Sequence, residues 1–111
     1  MAEATYRQPG NHVDYTPGGA VDAGEVVVQN ELVGVATAPI AANALGSIAV
    51  EGVFDVQKDT GSADAINAGA LVYWDSGNEV ATTTSGGNKL MGKCIRAAAA
   101  GAATVRVKLS Q

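Results

Sequence analysis

The segment Ala103-Thr104-Val105-Arg106-Val107-Lys108-Leu109 decides the fold class, because apolar and polar residues alternate along it without a break. Alternation with a period of two is typical of a half-buried β-strand. It places Val105, Val107 and Leu109 on the inner face and the polar residues between them on the outer face. The C-terminal end of the chain is therefore predicted to be a strand that covers a core.

Similar patterns precede this segment at intervals of about 8–12 residues and are separated by turns rich in Gly, Asn and Ser. These predicted strands are Asn11–Thr16, Val26–Val28, Leu32–Ala36, Ser47–Val56, Ala70–Trp74, Glu79–Thr84 and Lys89–Ile95. In the longest of them, Gly52 interrupts the apolar row, which predicts a β-bulge or a close backbone approach. A single helical turn fits Ser62–Ile66. The spacing is typical of an all-β sandwich or a small β-barrel.

The two halves of the chain carry similar patterns in the same order. The aligned segments are Asp22–Val28 with Asn67–Tyr73, Leu32–Val35 with Leu90–Lys93 and, with one gap, Ala44–Val50 with Ala100–Val107. A longer hairpin, Trp74–Asn88, distinguishes the second half. The echo predicts two pseudo-symmetric halves, although low-complexity sequence also produces such echoes by chance.

The length of 111 residues is that of one domain that can fold without disulfide or metal staples. Residues 1–10 show neither β nor helical periodicity and close with Pro9-Gly10, so they are predicted to be an extended N-terminal arm. Residues 11–111 are predicted to be a single β domain. Ala (21) and Val (14) supply most of the apolar residues, and only five residues are aromatic. Small and β-branched side chains of this kind suit closely packed strands.

Several classes of protein are excluded by composition and charge. A net charge of −4 repels phosphate backbones, which argues against a nucleic-acid partner. No stretch approaches 18 consecutive apolar residues, so we expect no membrane span. The N-terminus lacks the basic and apolar regions of a secretory signal. A lone cysteine cannot form an intrachain disulfide.

Residues that could carry catalysis are scarce. Cys94 lies in a predicted strand among apolar residues, where an inert buried thiol is expected, and His12 is expected to be an exposed imidazole. We find no spacing of ligands for zinc or calcium, and we predict no cofactor, no metal and no enzymatic activity. Tyr73-Trp74 could form a carbohydrate-stacking platform; the alternative is that one ring fills the core and the other covers an edge.

Five segments in a fixed order resemble the small capsid cement, or decoration, proteins of tailed bacteriophages. They are Ala23–Val28, Val33–Ala36, Gly46–Phe54, Ala70–Asp75 and Ala103–Leu109, and together they span nearly the whole chain. The resemblance implies a β-rich structural protein without catalytic residues, made in the host cytoplasm and bound to the outer surface of the virion capsid. It also implies contact with the major capsid protein and self-association, commonly as trimers. A glycan-binding or host-attachment module on the virion, which would use Tyr73-Trp74, is the alternative function.

Given this resemblance, the N-terminal arm is the first candidate for the capsid contact. An extended arm can add a strand to an open sheet edge through main-chain hydrogen bonds. Tyr6, Arg7, Gln8 and Pro9 are the predicted contact residues, with Tyr6 as an aromatic anchor and Arg7 as a bidentate donor. A disordered tail is the alternative for these residues. The second candidate contact lies in the polar loop after the longest strand and comprises Lys58, Asp59 and Thr60.

Overall fold

The protein is all-β over the part of the chain that the computed structural model describes, which is residues 3–4, 6–59 and 65–110. Its nine strands are β1 (His12–Tyr15), β2 (Val26–Gln29), β3 (Leu32–Ala36), β4 (Gly46–Ala49), β5 (Gly52–Gln57), β6 (Leu71–Asp75), β7 (Val80–Thr82), β8 (Lys89–Arg96) and β9 (Thr104–Leu109). The predicted fold class is confirmed. The helical turn predicted at Ser62–Ile66 falls mostly outside the described residues.

The strands form two antiparallel sheets. The first has the order β1-β4-β3-β2 and the second the order β5-β9-β8-β6-β7. Neither sheet closes into a barrel, so the architecture is sandwich-like, one of the two that the strand spacing predicts. An isolated parallel bridge between Lys58 and Ala81 nevertheless draws the end of β5 towards β7, at the other edge of the same sheet.

The alternation in β9 produces the predicted burial. Val105, Val107 and Leu109 are each at most 1% exposed, whereas Thr104 and Lys108 are exposed to solvent. These three apolar residues join a core cluster that both sheets share. Its other buried members are Val33, Val35, Val56, Ile66, Val72, Trp74, Ala81, Met91 and Cys94. Because β3 contributes two residues to this cluster, the first half buries part of its apolar surface against the second.

The predicted strand Ser47–Val56 is wrong as a single element, because the chain leaves the first sheet in its middle. β4 ends at Ala49 and β5 begins at Gly52 in the second sheet. Gly52 has a φ of +121°, a conformation that residues with a Cβ rarely adopt, and this turn separates the strands. The apolar period continues on both sides of the turn, which is why the pattern resembled one strand.

The predicted duplication is visible in the strand order. β1, β4, β3 and β2 of the first sheet correspond to β5, β9, β8 and β6 of the second, and β7 is the addition in the second half. The turns that precede β2 and β6 match in detail, because Gly24 and Gly69 both have a φ of +90°. The Gly24 N–H donates to the Ala36 carbonyl at 2.6 Å, and the Gly69 N–H donates to the Cys94 carbonyl at 2.6 Å.

A second pair of matching contacts supports the same correspondence. Val21 and Ile40 exchange two main-chain hydrogen bonds of 2.9 and 2.8 Å, and Ile66 and Ala98 exchange two of the same lengths. The third aligned segment, Ala44–Val50 with Ala100–Val107, is shifted by two residues in the structure. Ile48 pairs with Ala36 as Val107 pairs with Cys94, so Ile48 corresponds to Val107 and not to Val105. Two small-residue turns with similar composition precede these strands, which explains the error.

Replacing Gly92 with Ala is expected to destabilise the fold by about 1–3 kcal/mol, the usual cost of overpacking. A Cβ at Gly92 would overlap the Lys108 carbonyl oxygen and lie 2.9 Å from its carbon, and this backbone is held in β9. At the corresponding Gly34 the shortest contact is with the Ile48 side chain, which can rotate, so the cost there is expected to be smaller. The measurement is the midpoint of denaturant unfolding.

Gly86→Ala is the matched control, because a Cβ at Gly86 would have no heavy atom within 4 Å. Its midpoint should stay close to that of the wild-type chain. Equal midpoints for the Gly92→Ala and Gly86→Ala chains would contradict the close approach of β8 and β9.

Candidate docking surfaces

The N-terminal arm projects its predicted contact residues into solvent. Tyr6 is 80% exposed, the largest exposed fraction among the large apolar residues of the described chain. Arg7, Gln8 and Pro9 are exposed as well, and the Gln8 side-chain amide donates a long hydrogen bond of 3.4 Å to the His12 carbonyl. The arm therefore offers an aromatic ring and a guanidinium next to β1, an edge strand of the first sheet.

The second candidate contact is placed differently. Lys58 is only 2% exposed, and its ammonium donates hydrogen bonds of 2.9 Å to the carbonyls of Asp59 and Ala100. It lies where the parallel bridge to Ala81 joins the edges of the second sheet. Asp59 is half-buried, and Thr60 lies outside the described residues. The Lys58 side chain thus serves the fold of its own chain.

The two aromatic residues of β6 do not form an exposed platform. Trp74 is 8% exposed and belongs to the shared core cluster, and Tyr73 is half-buried. A sugar ring needs an accessible aromatic face for stacking, and the Trp74 indole does not offer one. The glycan-binding alternative loses the residue pair on which it rested.

The two residues considered for catalysis lie in different sheets, one buried and one exposed. Cys94 is 1% exposed and its thiol donates to the Arg96 carbonyl at 2.9 Å, as expected for an inert structural thiol. His12 is exposed on β1 in the other sheet. Within residues 3–4, 6–59 and 65–110, no three His, Cys, Asp or Glu side chains gather as a metal site. The same ranges contain no helix long and apolar enough to cross a membrane.

A cleft of about 670 Å³ opens between the two halves. Its apolar lining combines residues from both sheets, namely Val26, Val28, Val35, Phe54, Val56 and Trp74. Glu25, Asp55 and Glu79 also line it. The cleft shows where the inner surface of the first half faces β5 of the second half.

A surface that the sequence analysis missed lies on the outer side of the second sheet. Five of the seven Lys and Arg residues of the chain are on β8 and β9. Lys89 begins β8 and pairs with Glu31, and the other four are Lys93, Arg96, Arg106 and Lys108. Across the strands, Val53 pairs with Lys108, Lys108 with Lys93, and Lys93 with Leu71, so these four exposed residues form one row. We call the four cations with Val53 and Leu71 the basic face. The signal was available in β9, whose outward positions carry both Arg106 and Lys108.

One carboxylate lies among these cations. The Arg106 Nε donates to Asp55 Oδ1 at 2.9 Å, and this hydrogen bond is the main reason that the pKa of Asp55 lies below its ordinary value. Coulombic attraction by Arg106 and Arg96 acts in the same direction. A lowered pKa means that the pair persists above the ordinary carboxyl pKa and is lost only as the pH falls through the lowered one. Asp55 therefore remains charged and offsets one of the four cations.

The geometry defines a small β protein whose distinctive features are surfaces: an exposed arm, a cleft between halves and a segregated basic face. The family model described as phage cement protein matches residues 7–109, and the chain belongs to this family. No curated protein and no solved structure matches the chain. Membership gives the protein a structural role in the bacteriophage capsid, in association with capsid proteins, and points away from catalysis.

Replacing Lys58 with Met is expected to lower the free energy of unfolding by about 1–3 kcal/mol, because the carbonyls of Asp59 and Ala100 lose a buried donor. Met keeps the length of the side chain and so isolates the loss of the ammonium. The measurement is urea unfolding followed by Trp74 fluorescence.

Lys89→Met is the control, since Lys89 pairs with Glu31 at the surface and such pairs contribute only about 0–1 kcal/mol. A Lys58→Met chain that is as stable as the wild type, or more stable, would contradict a structural role for the buried ammonium.

Proposed function

We propose that this chain is a cement protein that binds the outer surface of the phage head and stabilises contacts between major capsid protein subunits. The family match over residues 7–109 carries the proposal, because it includes all nine described strands. The division into an arm of residues 1–10 and one β domain of residues 11–111 is part of it. So are synthesis in the host cytoplasm and the absence of nucleic-acid and membrane partners.

Symmetry explains how so small a protein can act as cement. A capsid repeats the same binding site many times, so a modest contact made by each copy adds up over the shell. Self-association, as a trimer in this proposal, makes each assembly multivalent, and release then requires several contacts to break together. Neither step needs catalysis, and both need exposed surfaces that are complementary to a protein partner.

We assign the capsid contact to Tyr6, Arg7, Gln8 and Pro9 of the arm. Their exposure supports this assignment. Tyr6 is 80% exposed, and transfer of its ring from water into a protein interface is favourable. Arg7 adds a planar donor for a carboxylate or for main-chain carbonyls. Asp59 and Thr60 remain candidates for a second contact, while Lys58 contributes by holding the start of their loop.

Deleting residues 1–8 is expected to reduce binding to expanded heads by at least about tenfold, a loss of ~1.4 kcal/mol in binding free energy. Because the described residues of this segment are exposed, thermal unfolding of the deleted chain should match that of the full chain. The measurement is co-sedimentation of purified protein with heads that lack it, together with the temperature at which the heads rupture.

Leu45→Ala is a matched control, because Leu45 is a second highly exposed apolar side chain, at 71%, and lies outside the arm. Its binding should equal that of the wild type. If the full chain never binds heads, the cement function is wrong. If the deleted chain binds as well as the full chain, only the assignment to the arm is wrong.

A further inference from the structure

The duplication reveals that one surface is largely buried in the first half and open in the second. In the first sheet, His12 pairs with Ala49, Ala49 with Val35, and Val35 with Val26. This row occupies the positions that Val53, Lys108, Lys93 and Leu71 occupy in the second sheet. The rows differ in composition and in burial.

The β3 and β2 part of the first-half row is covered by the second half of the same chain, whereas His12 at its β1 end is exposed. Val35 is 6% exposed and belongs to the shared core cluster, and Val26 packs against that cluster. Both residues line the cleft together with Phe54 and Val56 of β5. In the first half, this surface therefore packs against the other half of the same chain.

Among residues 3–4, 6–59 and 65–110, no such neighbour covers the second-half row. Val53 and Leu71 remain 52% and 45% exposed, and the lysines between them are exposed as well. Lys93 and Lys108 face each other directly across two strands, an arrangement of like charges that destabilises a sheet. A local conflict of this kind indicates that the residues serve something other than folding.

The charge of the chain is divided in a way that complements this face. Residues 1–50 hold five carboxylates and one cation, a net charge of −4, whereas residues 51–111 hold six of each. The negative net charge of the first half of another copy is therefore opposite in sign to the cations of the basic face. The strand of the first half that corresponds to β5 is β1, where the exposed Asp14 lies between the half-buried Val13 and Tyr15.

We propose that the basic face of one copy binds the first half of a second copy around β1, with Asp14 opposite the lysine row. Within one chain, the row of the first half packs against the second half. In the proposed contact, the corresponding row of the second half packs against the first half of the next copy. Such a contact is head-to-tail, because the two surfaces that meet are different, and it closes into a ring when the rotation between copies allows. This inference rests on the self-association named in the proposed function and specifies its surfaces.

The test uses purified protein without heads, so its outcome is independent of capsid binding. Sedimentation velocity at low salt should show an assembly larger than a dimer that dissociates as salt is raised, because exposed ion pairs are screened. Lys93→Glu should weaken the assembly by at least about tenfold. Asp14→Lys should do the same. The double variant Asp14→Lys/Lys93→Glu should assemble again, because the exchange of charges restores opposite charges at every interface of a ring.

Lys89→Glu is the matched control, because it lies on the same strand, changes the net charge equally and is outside the basic face. It should assemble like the wild type, and all variants should unfold at similar temperatures because the replaced side chains are at least partly solvent-exposed. The proposal would be overturned by a wild-type chain that stays monomeric or forms a closed dimer, by a Lys93→Glu chain that assembles normally, or by a double variant that does not assemble.

Discussion

The apolar cluster shared by the two sheets is the interaction on which the rest of the structure depends. Val33 and Val35 of β3 lie in it beside residues of the second half, such as Trp74 and Met91. Among the described residues, the separate cluster of the first half has four buried members, Val27, Ala36, Ile40 and Ile48. Since buried apolar area stabilises a fold by roughly 25 cal/mol per Å², a half this poor in large side chains gains much of its stability from its neighbour. Packing one half on the other also fixes which surfaces remain exposed.

Local patterns predicted the strands well and their partners poorly. The alternation of β9 and the echo between Asp22–Val28 and Asn67–Tyr73 are local properties of sequence, and the structure contains both. Two features depend on tertiary contacts: the switch between sheets at Gly52 and the two-residue shift that makes Ile48 the counterpart of Val107. Lys58 is a further example. A lysine in a polar loop is expected to be exposed, and only the tertiary structure shows the carbonyls that bind its buried ammonium.

The missed basic face has a related cause. Only β8 and β9 carry its cations, two on each strand, and a strand with two outward cations is ordinary at a protein surface. Only the register of β5, β9, β8 and β6 shows that these cations form one continuous surface in a chain whose net charge is negative. In this account the arm and the basic face divide two tasks, attachment to the shell and contact between copies, and the duplicated fold presents both surfaces on one small body.

An electron cryomicroscopy reconstruction of heads incubated with the purified protein tests the central claim most directly. The account predicts added density on the outer surface of the shell, with the end of each copy that carries Tyr6 directed at the capsid and Lys93 and Lys108 directed at a neighbouring copy. Density on the inner surface, or heads without added density at saturating protein, would contradict it.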